Sequence, residues 1–158
     1  MIIDIAKIIL LTFIPTLELR ASIPFGIIAT EIHWLWVFII AVISNILLGA
    51  VLYALLDIII KQFTKIRIIN KLYCLYVKRT QKKINKYVEK YGELGIAFFI
   101  AVPLPGSGSY TGAMAAYLLG MKYRKFLLAN TIGVLIAGTL VTIIVLSGIS
   151  MLNILVKY

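Results

Sequence analysis

Glu18 and Arg20 are charges where an apolar chain tolerates them least. They follow an uncharged run, Ile8 to Leu17, and are bracketed by Pro15 and Pro24. A charge near the middle of a bilayer costs about 2.5–3.5 kcal/mol on an insertion scale, so such residues face a polar cavity or each other. A carboxylate held there can take up and release a proton, and a guanidinium offers a planar donor fork suited to phosphate. Two positions apart, they fall on opposite sides of a helix but on one side of an extended segment. The flanking prolines therefore predict an unwound tip in which Glu18 and Arg20 act together, with Ser22 and Pro24 in the same binding site. The competing reading is a shallow tip whose charges are merely solvated.

A second polar constellation, V-P-L-P-G-S-G-S-Y-T-G, interrupts a later apolar stretch. Pro103, Pro105, Gly106, Ser107, Gly108, Ser109, Tyr110 and Thr111 supply hydroxyls and a backbone that a ligand can approach closely, with no carboxylate or lysine among them. Half-helix N-termini aimed at a buried site attract anionic groups. Equally, the prolines and glycines can serve only a tight turn whose hydroxyls satisfy freed backbone groups. Asn45 and Asn130, alone among apolar neighbours, are expected to make hydrogen bonds between helices.

The elements that carry these residues follow from composition. The 158 residues are 62% apolar with a mean hydropathy of +1.04, far above the roughly 45–50% of soluble domains. Strand-period alternation is absent, so an all-α integral membrane protein is expected. A spanning helix needs about 20 apolar residues. Trp34 to Leu56 suffices and Ile8 to Leu17 is too short. Phe126 to Val156 exceeds one crossing and is expected to break near Ser147-Gly148. Leu94 to Met121 holds the Pro- and Gly-rich constellation, which predicts two half-helices forming a re-entrant hairpin. By analogy Ile8 to Leu17 enters, residues 16–26 turn, and Ile27 onward returns. Shifting the sequence by 85 positions superposes Pro24 on Ser109 and Asn45 on Asn130, the mark of a twofold internal repeat. One membrane domain is expected over residues 1–158: a hairpin-plus-span repeat over 1–60, a connector over 61–93 and a second repeat over 94–158.

Charge sets orientation. Ten of sixteen basic residues lie between Lys61 and Lys90, and Lys122, Arg124 and Lys125 follow the second hairpin. Basic residues stay cytoplasmic, which puts the central loop inside, both termini outside, and the two repeats in opposite orientations. Phe63, Ile66, Ile69, Tyr73 and Val77 recur at helical steps, so the connector reads as an amphipathic helix on the cytoplasmic leaflet. The +10 net charge is thus a membrane signature, and no nucleic-acid partner is expected. Trp34, Trp36, His33 and the tyrosines flanking the basic loop read as interfacial anchors. Cys74 and His33 are single and cannot form a structural zinc site; no metal or cofactor is expected. With no Ser-His-Asp set, Cys-His pair or phosphate loop, an enzyme is not expected.

The pairing of E-L-R-A-S-I-P-F-G with P-L-P-G-S-G-S-Y-T-G, over essentially the whole chain, resembles the small multidrug export protein family. That family is itself similar to the DedA (VTT-domain, SNARE-associated) superfamily. The resemblance implies paired re-entrant hairpins and, from the DedA relatives, translocation of an anionic lipid such as a polyprenyl phosphate between leaflets of the cell membrane. Arg20 would then hold the phosphate, Glu18 would carry a coupling proton, and the second tip would donate hydrogen bonds. Export of amphipathic cations by proton exchange at Glu18 is the first alternative, and a non-transporting scaffold the second. A homodimer is expected, because two hairpin tips need covering, with Gly49, Gly133 and Gly138 at the contact.

Overall fold

The computed structural model describes residues 2–15, 17–63, 92–102 and 107–156. Among these the chain is all helical, in the order short, short, long, repeated once. The helices are α1 (Ile2–Phe13), α2 (Glu18–Ala29), α3 (Trp34–Phe63), α4 (Gly92–Ala101), α5 (Ser109–Leu118) and α6 (Tyr123–Val156). Trp34–Leu56 and Tyr123–Met151, with mean hydropathies of 2.6 and 2.5, are each long and apolar enough to cross a bilayer. Their outward faces carry Ile43, Leu47, Val51, Leu135, Ile136, Ile143 and Ile144, all exposed.

The long helices α3 and α6 pack antiparallel. Tyr53 stacks on Phe126 with ring centroids 4.8 Å apart, Asn130 Nδ2 donates to the Ile46 carbonyl at 3.4 Å, and Gly138 lies against Phe38 and Val42. With lipid outside there is no hydrophobic force between helices, so small residues that let backbones approach are what allow this packing. A Cβ at Gly133 would lie 2.7 Å from the Ala97 carbonyl oxygen and 2.7 Å from Ile100 Cβ; one at Gly49 would lie 2.5 Å from Asn130 Nδ2. Gly49, Gly133 and Gly138, expected at a dimer contact, are therefore already occupied inside one chain. The interhelical hydrogen bonds expected of the two asparagines are present.

The short helices form two pairs. In the second, Lys125 Nζ meets Glu93 Oε1 at 2.7 Å and Gly133 abuts Ala97 and Ile100, so α4 starts where α6 starts and runs beside it. Helix α5 returns to the same end, where Tyr117 meets Tyr53 edge-on. It closes with Gly120 at φ 70°, the Gly120 amide donating to Tyr117 O and the Met121 amide to Ala116 O, a glycine-terminated helix end. In the first pair, Gly26 of α2 is wedged between Ile8 of α1 and Val37 of α3. His33 precedes α3, its carbonyl accepting from Trp36 and Val37 and its Nδ1 from Leu35 N.

Three expectations require correction. Residues 18–26 are not unwound: α2 begins at Glu18 and continues through Pro24. Away from water, breaking the helix would leave several backbone groups unpaired, whereas the proline removes one amide donor. Ser147-Gly148 does not break α6; a single helical glycine costs only about 1 kcal/mol, and the Ser150 hydroxyl is satisfied by the Leu146 carbonyl at 3.0 Å. Residues 61–63 belong to α3, while the rest of the basic connector to residue 91, with Cys74, lies outside the described residues.

Candidate functional site

The turn between α1 and α2 and the connection between α4 and α5 meet. Helix α5 begins after Gly108, which has no side chain with which to cap its amides. Glu18 of α2 supplies the cap: Ser109 N donates to its Oε2 at 3.1 Å and Tyr110 N to its Oε1 at 3.2 Å. The carboxylate thus sits on the positive end of α5. Asn45 of α3 adds a third donor, Nδ2 to Oε2 at 3.4 Å. Gly108 is at φ 143°, and a Cβ there would lie 2.8 Å from the Glu18 carboxyl carbon, so glycine is required both by the backbone and by the carboxylate. Glu18 is itself strained, at φ 44°, and is 8% exposed.

Arg20 turns to the other side of the same connection. Its Nη2 donates to the Ser107 carbonyl at 2.6 Å, to Ser107 Oγ at 2.7 Å and more distantly to Val102 O at 3.4 Å. The Ser107 hydroxyl in turn donates to Val102 O at 2.5 Å. Val102 lies just past the last turn of α4, so the cation closes the negative end of one helix while Glu18 closes the positive end of the next. The Tyr110 hydroxyl completes the link by donating to Phe13 O at the end of α1, 2.6 Å away.

The two charges are brought to one place, although not by the expected means. They share a helix, and the second polar segment comes to both. Ser107, Gly108, Ser109 and Tyr110 are gathered with them. Ser22 is fully buried one turn beyond Glu18. Thr111 is exposed and bonds within α5, its hydroxyl reaching Gly108 O at 3.4 Å. Pro103, Pro105 and Gly106 lie outside the described residues. Sequence reasoning missed Asn45 as a member of the site. Its one available signal was the 27-residue register to Glu18, which a reading of isolated helices cannot exploit.

A small cavity with room for about one water-sized particle adjoins Glu18. Beside that carboxylate, Arg20, Asn45 and Gly108, it is walled by Leu19, Ile100, Val134, Ala137 and Val141. Among the described residues no group of His, Cys, Asp or Glu could hold a metal ion. Within this site, the only carboxylate among the described residues is Glu18.

Residues 18–140, well over half of the chain, match the family described as "Putative small multi-drug export protein", and the chain belongs to that family. No curated protein and no solved structure matches it.

Proposed function

We propose that this membrane protein, as a member of that family, exports small amphipathic cations, with Glu18 alternating between a proton and the cation. The observation that carries the reading is a buried carboxylate at the meeting point of both helix turns, beside a small cavity that Arg20 and Asn45 also line and that Leu19, Ile100, Val134, Ala137 and Val141 complete. A carboxylate with an apolar wall on α4 and α6 beside it matches the chemistry of an amphipathic cation, and intramembrane carboxylates mark ion pathways. Translocation of a lipid phosphate, the role implied by the DedA resemblance, asks Arg20 to hold the phosphate. Its guanidinium already faces Ser107 and Val102, so that reading would have to displace acceptors that close α4.

In this proposal the α4–α5 pair is re-entrant. Helix α4 has ten residues, about 15 Å, half of a hydrocarbon core of about 30 Å. Its start and the end of α5 both lie by the start of α6. With α3 and α6 antiparallel, the two short–short–long units form an inverted repeat, with the basic connector cytoplasmic and both termini outside. The test is substrate charge. Hydrophobic cations should raise the melting temperature and be carried by proteoliposomes, with transport lost in Glu18→Gln; stabilisation by polyprenyl phosphate and not by cations would overturn the proposal.

A further inference from the structure

Beyond Glu18, a polar seam runs along the contact of α3 with α6 toward the basic end of the molecule. Asn45, Gly49 and Tyr53 recur every four residues and so share one face of α3. Asn45 touches Glu18. Gly49, one turn on, leaves the space that the Asn130 amide fills from α6, and that amide donates to Ile46 O. Tyr53, a further turn on, donates its hydroxyl to the Met121 carbonyl, next to Lys122. The whole seam covers about 12 Å of helix.

Two atoms of this seam have no protein partner. Asn45 Oδ1 and Asn130 Oδ1 belong to fully buried side chains, and neither has a hydrogen bond. Leaving such an acceptor dry is costly, and the usual solution in protein interiors is ordered water with two to four polar partners. The α6 wall of the cavity on the other side of Glu18 is Val134, Ala137 and Val141, which offers water no side-chain partner. Ser22 Oγ on the helix of Glu18 and Ser109 Oγ at the start of α5 are likewise buried without a hydrogen bond; along the α3–α6 contact, the polar stepping stones lead from the carboxylate toward the basic end.

We propose that buried water seated on Asn45 Oδ1 and Asn130 Oδ1 forms a file along this seam, and that Glu18 exchanges its proton with the basic end of the molecule through it. The inference rests on the reading of Glu18 as a proton-carrying group. The charged and titratable groups facing that carboxylate are Arg20 on its own helix and Tyr110 from α5. From α3 comes Asn45, from α4 Ile100 and from α6 three apolar residues. The end of α1 contributes the Phe13 carbonyl, which accepts from Tyr110. Asn130 touches no part of Glu18 that any hydrogen bond records; it is a positioning residue, acting through water.

The experiment reads proton access directly, whatever the substrate. The protonated carboxyl band of Glu18 is identified in proteoliposomes by infrared difference against Glu18→Gln, at acid pH. Its hydrogen–deuterium exchange is then timed on transfer to heavy water. Asn130→Leu removes the water seat and Gly49→Ala presses a methyl group on the Asn130 amide, so both should slow exchange about tenfold or more. Asn130→Ser, smaller and still polar, should exchange at close to the wild-type rate. Wild-type exchange in Asn130→Leu and Gly49→Ala overturns the proposal. So does an Asn130→Ser as slow as Asn130→Leu, or the absence of a protonated Glu18 band at every pH at which the protein stays folded. If Asn130→Leu does not fold, Gly49→Ala and Asn130→Ser decide. Cation export is measured on the same vesicles: slowed exchange without any export would retire the exporter reading and leave the water file standing.

Discussion

Replacing Gly108 by alanine should be among the most damaging one-carbon changes available to this chain. Its backbone at φ 143°, ψ −171° lies in a region essentially reserved for glycine, and holding another residue there costs about 1–3 kcal/mol. The new methyl group would also fall on the Glu18 carboxylate. That group must then move off the amides of Ser109 and Tyr110, and a hydrogen bond to a charged group is worth about 1.5–3 kcal/mol. Strain and one such bond together give about 2.5–6 kcal/mol, a large share of the roughly 5–15 kcal/mol by which a protein is stable. The assay is equilibrium unfolding in mixed micelles followed by helical circular dichroism. A cycle with Glu18→Ala separates the two contributions: without the carboxylate the methyl group has room, so the double variant should be about 1.5–3 kcal/mol more stable than the two losses added. A loss in Gly108→Ala below about 1 kcal/mol, or strict additivity, would refute the capping geometry.

Arg20→Lys should lower stability by about 1.5–3 kcal/mol in the same assay, because a single ammonium cannot reproduce the guanidinium contacts with Ser107 and Val102; an unchanged midpoint would contradict them. Gly133→Ala should cost about 1–3 kcal/mol through overpacking against α4. Gly148→Ala, with nothing within 4 Å, should be neutral or stabilise by up to about 1 kcal/mol. Single cysteines placed at Lys83 and Lys125 are expected to react only from the cytoplasmic side, and labelling from opposite sides would show that residues 94–121 cross the bilayer. Mass measurement in mild detergent and in nanodiscs should return a dimer, and a monomer active in both would remove the need for a second subunit to cover the turns.

What could be read from the sequence was what the bilayer makes locally expensive. The break inside residues 94–121 was legible because prolines and glycines gather there, and the long helices α3 and α6 because uninterrupted apolar length has one use in lipid. Glu18 and Arg20 stood out for the same reason. Their partners did not, since they are mostly backbone groups of Val102, Ser107, Ser109 and Tyr110, and a main-chain amide or carbonyl leaves no trace in residue type. Pro24 misled because it marks a turn in water, whereas the surroundings of α2 make leaving the helix costlier than one missing hydrogen bond. Gly49, Gly133 and Gly138 are places of close approach, as their size allows. Which neighbour approaches, one within the chain or a second copy, is set by register and not by composition.

The capping of α5 by a residue of α2 has a consequence for how the protein is made. Between Glu18 and the amides that hold it lie 91 and 92 positions of chain, and between Arg20 and its acceptors 82 and 87. While the first three helices emerge from the ribosome, Glu18 has only Asn45 of its final partners and Arg20 has neither Val102 nor Ser107, and in the re-entrant arrangement proposed above each charge would resist the hydrocarbon by about 2.5–3.5 kcal/mol. In that arrangement the early segment would stay near the headgroups at first. Arrival of α4 and α5 gives both charges their remaining partners at once, so in the proposed arrangement the first two helices would complete their descent only when the later half of the chain had entered the bilayer.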